Sequence, residues 1–138
     1  MSFLGGLFKK KSGGGPLEAL RAKVDANPND ARLAQDLANQ LKAAGDVDGA
    51  VEYARRAAQA HLAAGFAQKA LAVLKGALAW GQPSMELLQD LANVLIELKH
   101  KEDARGALIQ LRRLHATAGN KSELGRIDAQ LTELGPGR

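Results

Sequence analysis

The chain has 138 residues, 46% of them hydrophobic, and it contains no cysteine. This length fits one domain, and the absence of thiols excludes disulfides, thiolate metal sites and cysteine nucleophiles. The net charge of +4 depends on three lysines at residues 9–11, so the rest of the sequence is close to neutral. Without a basic stripe interleaved with aromatics, and without about 20 consecutive apolar residues, we expect neither nucleic-acid binding nor a membrane span.

Residues 1–16 form a separate N-terminal segment in which four apolar side chains precede three lysines and a glycine-rich linker. These seven residues are Phe3, Leu4, Leu7, Phe8, Lys9, Lys10 and Lys11. We interpret them as a docking segment that binds either a second partner protein or an anionic membrane surface. The third interpretation is that the segment folds back onto the domain or is disordered. Partial burial of the four side chains and the attraction of three lysines to lipid amount to a weak, reversible membrane contact.

Helical periodicity runs from residue 17 to residue 134, because leucines recur at spacings of three and four. Asp, Asn or Ser precedes most of the periodic runs and Gly follows them, as is typical of helix starts and ends. Asn120 with Glu123 matches a capping box at the start of the last run. No stretch alternates with period two. The sequence therefore predicts about seven helices and no strands.

An internal repeat relates the two halves of this helical region. The run QDLAN at residues 35–39 recurs at residues 89–93, and His61 and His115 match at the same offset of 54 residues. We interpret both histidines as structural. Because the offset holds across three helices without a gap, we predict a helical domain over 17–134 that contains two three-helix units, 31–80 and 85–134.

At these residues the chain resembles the tetratricopeptide repeat (TPR) family, whose unit is a helix pair of 34 residues. The apolar positions of the motif fall first on Ala34, Leu37, Ala38 and Leu41, and then on Leu88, Leu91, Ala92 and Leu95. Ala or Leu stands where the family has Trp, Gly and Tyr, and segment 66–80 has no first helix of its own. The resemblance implies an all-α fold, a right-handed superhelical stack of antiparallel helix pairs of the TPR-like α-solenoid type.

The resemblance also implies a concave groove, lined by polar residues of the first helix of each pair, that binds a peptide or helix of a partner. The groove residues carried over are Arg32, Gln35, Asn39, Lys42, Glu86, Gln89 and Asn93. The amide pairs at 35/39 and 89/93 lie on the helix face away from the leucines, where they can hydrogen-bond an extended peptide backbone. The alternative is that they are solvated residues kept by duplication.

No catalytic, phosphate-binding or metal-binding motif occurs in the sequence, so we expect no enzyme activity, no cofactor and no metal. We therefore interpret the chain as a protein–protein interaction adapter or scaffold. A self-associating structural subunit, dimer or filament, is one alternative, and a chaperone for a secretion or motility component is another. We take the composition, rich in Ala, Leu and Arg, to indicate a bacterial cytoplasmic protein, peripheral at the inner membrane when the N-terminal segment binds lipid.

Overall fold

The structure is a computed structural model that describes residues 15–81 and 83–135. Over these residues the chain forms seven α-helices and no strand, which confirms the predicted all-helical fold. The helices are α1 (Pro16–Ala26), α2 (Ala31–Ala43), α3 (Val47–Ala63), α4 (Ala67–Leu78), α5 (Met85–Glu97), α6 (Lys101–Ala118) and α7 (Lys121–Leu134). The predicted docking residues of the N-terminal segment lie outside the described residues.

Each helix packs against the next one along the chain, and α3 also contacts α5. Because only two to six residues connect consecutive helices, neighbours must run antiparallel. This sequential arrangement is the stack of antiparallel helices that the family resemblance implied. None of the helices in the described part of the chain is long and apolar enough to span a membrane.

Side chains cap three of the helices at the positions that the sequence indicated. Asp30 accepts a hydrogen bond from the Leu33 N–H at 3.1 Å, which fixes the start of α2. Asp46 and Ser84 do the same for α3 and α5, with distances of 2.9 and 3.0 Å. Each such cap satisfies a backbone donor that the helix itself leaves unpaired.

The helices of the first half, α2 to α4, begin at residues 31, 47 and 67, and those of the second half, α5 to α7, begin at 85, 101 and 121. Residues 54 apart are called equivalent below. Gly45 ends α2 with φ of 90°, and its equivalent Lys99 ends α5 with φ of 67°. Both turns therefore use the left-handed conformation, although only glycine adopts it without steric cost.

The core consists of leucines from α2, α4, α5 and α6 packed on a row of alanines from α3. Leu37, Leu74, Leu95 and Leu108 are among the fully buried side chains. The fully or almost fully buried alanines of α3 are Ala50, Ala54, Ala57 and Ala58. Small side chains let α2 and α4 approach α3 closely.

Helix α7 differs from its equivalent α4 on the face that α4 turns to α5. Three buried or half-buried leucines of α4 have small or polar equivalents in α7: Gly125 for Leu71, Asp128 for Leu74 and Thr132 for Leu78. Asp128 is exposed and pairs with Arg112 of α6 at 2.6 Å. The hydrogen bond from Arg112 lowers the pKa of the Asp128 carboxyl. This face of α7 is thus polar, whereas the equivalent face of α4 is apolar.

A partly buried ion pair joins the two halves. Arg55 Nε of α3 lies 2.6 Å from Asp90 Oδ2 of α5, and the two side chains are 21% and 18% exposed. Burial disfavours the guanidinium cation, but the hydrogen bond to Asp90 and the nearby carboxylates outweigh burial and raise the pKa of Arg55. The equivalent positions hold Ile109, which is 43% exposed, and Asp36. Because Ile109 and Asp36 cannot form an ion pair, the pair of Arg55 with Asp90 is specific to the contact between α3 and α5.

Candidate functional site

A groove opens in the first half where the start of α2, the end of α3 and the start of α4 meet. It consists of two adjoining cavities of about 670 and 530 Å³ that share His61 and Lys69. The residues around the larger cavity are 26–31, Ala60, His61, Ala64, Phe66 and Lys69. The residues around the smaller one are Arg32, Gln35, His61, Lys69, Ala72 and Val73. We call this combined surface the first groove.

Two turns hold the walls of the first groove in place. The turn at residues 27–30 ends in the Asp30 cap and brings the first turn of α2 to the groove. At the other wall Gly65 has φ of 87°, and the Phe66 N–H donates to the His61 carbonyl at 2.8 Å. This tight reversal puts Phe66 beside His61. Lys69 lies within the first turn of α4, so it reaches the same part of the groove.

The first groove carries a positive charge. Arg32 and Lys69 contribute two cations and Asp30 contributes one carboxylate, which also caps α2, so the positive charges are in excess. Burial of the His61 imidazole, and secondarily the ammonium of Lys69, lowers the pKa of His61. His61 is therefore mainly neutral near pH 7, so that it adds a polar group rather than a third charge.

An exposed aromatic ring completes the rim. Phe66 is 50% exposed, and the Lys69 Nζ lies 4.6 Å from the centre of its ring. A cation over an aromatic face is attracted to the ring, so this contact holds both side chains at the mouth of the groove. Phe66 thus provides a large apolar surface that a bound chain can cover.

The seven predicted groove residues occupy three different surfaces. Arg32 and Gln35 line the first groove. Asn39 and Lys42 are exposed farther along α2. The remaining three belong to α5: Glu86 borders a separate cavity of about 420 Å³ between α3 and α5, and Gln89 donates to Asn93 at 3.0 Å. A role of these seven residues in binding stays a prediction.

Sequence reasoning missed three residues of the first groove. His61 was interpreted as structural, and Phe66 and Lys69 were not singled out. The offset of 54 residues contained a signal, because Phe66 and Lys69 stand where the second half has Asn120 and Glu123. Exchanges of that kind between otherwise similar halves mark a surface at which the two halves differ in charge and polarity.

The predicted capping box at Asn120 is wrong. The Asn120 side chain makes no cap to α7, and its Nδ2 lies instead 3.0 Å from the His115 Nδ1. His115 is 9% exposed, so the amide provides a partner for a buried ring nitrogen. The need to satisfy that nitrogen explains why this side chain turns away from the helix start.

Within residues 15–81 and 83–135, no three His, Asp or Glu side chains are grouped as metal ligands would be. No protein-family model and no curated protein matches the chain. Among solved structures, the chain is similar to YrrB, described as a TPR protein with an unusual peptide-binding site, with 20% sequence identity and a TM-score of 0.43. The alignment covers 87% of this chain and 76% of that chain. The antiparallel stack described above rests on the helix order and packing of the present chain.

Proposed function

We propose that this protein is a non-enzymatic adapter that binds a peptide or helix of a partner protein in the first groove. The observation that carries the proposal is the groove itself, open to solvent between three helices of a packed scaffold. Rigid helices on either side supply a preformed site, so that binding does not have to order the protein first.

The chemistry of the lining suits a polypeptide ligand. The Gln35 amide can both donate to and accept from a peptide backbone. Ala72 and Val73 provide small apolar contacts beside it, and Phe66 offers a ring at the rim. A mixture of apolar contact, backbone hydrogen bonding and charge is how grooves recognise peptide segments.

The N-terminal segment adds a second attachment to this proposal. Its pattern, with Phe3 to Phe8 followed by Lys9 to Lys11, supports docking to a second partner or to an anionic membrane surface. The groove and the segment would then hold two components together, which is what an adapter does.

Self-association by continued stacking is a weaker candidate. A further copy added at α7 would meet Gly125, Asp128 and Thr132 instead of leucines. It would also find Ile109 at the position where Arg55 pairs with Asp90 in the present junction. A contact between two copies would therefore lack both the buried leucines and the ion pair that join the two halves. A chaperone would use the same groove and is distinguished from an adapter by the identity of its partner.

Photo-crosslinking from within the first groove tests the proposed function. A photoreactive amino acid placed at Ala72 in the full chain is expected to crosslink one discrete partner in cells. The control places the same group at Ala129, which is exposed on α7 outside the groove. When residues 1–14 are deleted, we expect the position-72 product to persist and the attachment through the N-terminal segment to be lost. Equal labelling from both positions, or no product from position 72, would contradict the proposal.

A further inference from the structure

The two halves carry opposite charges at the positions that form the first groove. Arg32 has Glu86 as its equivalent, and Lys69 has Glu123. The backbone geometry at these positions is alike, since Asn120 N–H donates to the His115 carbonyl at 3.0 Å just as Phe66 does to His61. One framework therefore presents two cations in the first half and two carboxylates in the second.

The second half also holds larger side chains at three of the same positions. The equivalents are Ala31 and Met85, Ala60 and Leu114, and Ala72 and Arg126. Met85 and Leu114 are partly buried and pack against the core. Three positions at which alanines line the first groove therefore carry larger side chains in the second half.

Arg126 forms hydrogen bonds across the second half, from α7 to α5. Its Nη2 donates to Gln89 Oε1 of α5 at 2.6 Å and to Glu123 Oε1 at 2.6 Å. Gln89 is the equivalent of Gln35, so the amide that lines the first groove is engaged by a side chain in the second half. The first groove has Ala72 at the position of Arg126, and a methyl group can make no such bond.

We propose that the first groove binds an acidic segment of a partner protein, and that Arg126 keeps the equivalent surface of the second half closed. The proposal rests on the proposed function and names the chemistry of the partner. It gives the helical domain one peptide-binding groove in spite of its repeated sequence.

Charge complementarity selects this occupant. A carboxylate that approaches Arg32 and Lys69 can accept charge-assisted hydrogen bonds from these cations, which outnumber the single carboxylate of the lining, that of Asp30. The N-terminal segment carries Lys9 to Lys11, so the same two cations repel it. Phe66 favours an acidic segment that also contains an apolar or aromatic residue.

A variant that copies the closed half into the open one provides the test. Lys69→Glu/Ala72→Arg recreates the Glu123–Arg126 pair next to Gln35. The full chain and this variant are each used to select binders from a random peptide library displayed on phage. The parent chain is expected to enrich peptides rich in Asp and Glu, and these peptides are expected to bind the variant about tenfold more weakly or worse.

Lys75→Glu is the control for the Lys69→Glu part of the variant, because it makes the same exchange on α4 at an exposed position outside the groove lining. It lowers the net charge by more than the double variant does, since Ala72→Arg adds a positive charge, so it also controls for a general effect of net charge. It is expected to bind the selected peptides within about threefold of the parent. Thermal denaturation followed by circular dichroism checks that both variants fold. If the parent chain forms a dimer and the double variant is a monomer, the groove binds a second copy of the chain and the proposal is overturned.

The selection also separates this inference from the proposed function. Enrichment of basic or neutral peptides whose binding the double variant abolishes would refute the acidic partner and leave the groove as a peptide site. Enrichment that the double variant does not affect, or no enrichment at all, would refute both.

Discussion

Leu74→Ala is expected to lower the free energy of unfolding by about 2–5 kcal/mol. Leu74 is fully buried in α4, the helix that lies between α3 and α5. Truncation removes apolar contacts and leaves a cavity at the junction of the two halves, where rigid helices on both sides can collapse only partially. Urea denaturation followed by circular dichroism measures the effect.

Asp128→Ala is the matched control for Leu74→Ala, since it changes the equivalent position on the exposed face of α7. Its ion pair with Arg112 is exposed to solvent, so the denaturation midpoint is expected to stay close to that of the parent. Similar losses for the two variants would show that the two helices are buried to the same extent, contrary to the structure.

Asp90→Ala is expected to destabilise the chain by about 1–3 kcal/mol. The substitution leaves the Arg55 guanidinium in a partly buried position without the carboxylate that lies 2.6 Å from it. Glu52, 3.3 Å from the same guanidinium, remains and limits the loss. The effect should appear in the same denaturation experiment. The dependence of the free energy of unfolding on urea concentration is expected to stay unchanged, because the same surface is exposed on unfolding.

Asp36→Ala is the control for Asp90→Ala, because Asp36 is the exposed equivalent of Asp90. It is expected to change stability by less than about 0.5 kcal/mol. The double variant Arg55→Ala/Asp90→Ala should lose less than the sum of the two single losses, since the partners act on each other. Strict additivity would mean that the ion pair does not couple the halves.

Local signals explain why the helices could be predicted. The caps at Asp30, Asp46 and Ser84 and the turn at Gly45 depend on residues a few positions apart, so the sequence displays them directly. Leucine spacing identified the buried faces for the same reason. At Asn120 a local pattern failed, because a buried ring nitrogen of His115 competed for the same amide.

The first groove could not be predicted in full because three helices from separate stretches form it. The family resemblance placed the groove on α2 and α5, the first helices of the two units. Packing adds Lys69 of α4 and His61 of α3, which line the first groove together with Arg32 of α2. Similarly, the ion pair of Arg55 with Asp90 depends on the contact of α3 with α5, which joins residues 35 positions apart in the sequence.

The two equivalent histidines provide the most direct measurement of whether one half binds and the other is closed. His61 lines the first groove, and His115 lies at the equivalent position against Asn120. NMR of the imidazole signals during titration with a selected acidic peptide is expected to shift His61 and raise its pKa, while the His115 signals stay in place. A shift of His115 equal to that of His61, or no shift of His61, would contradict the account.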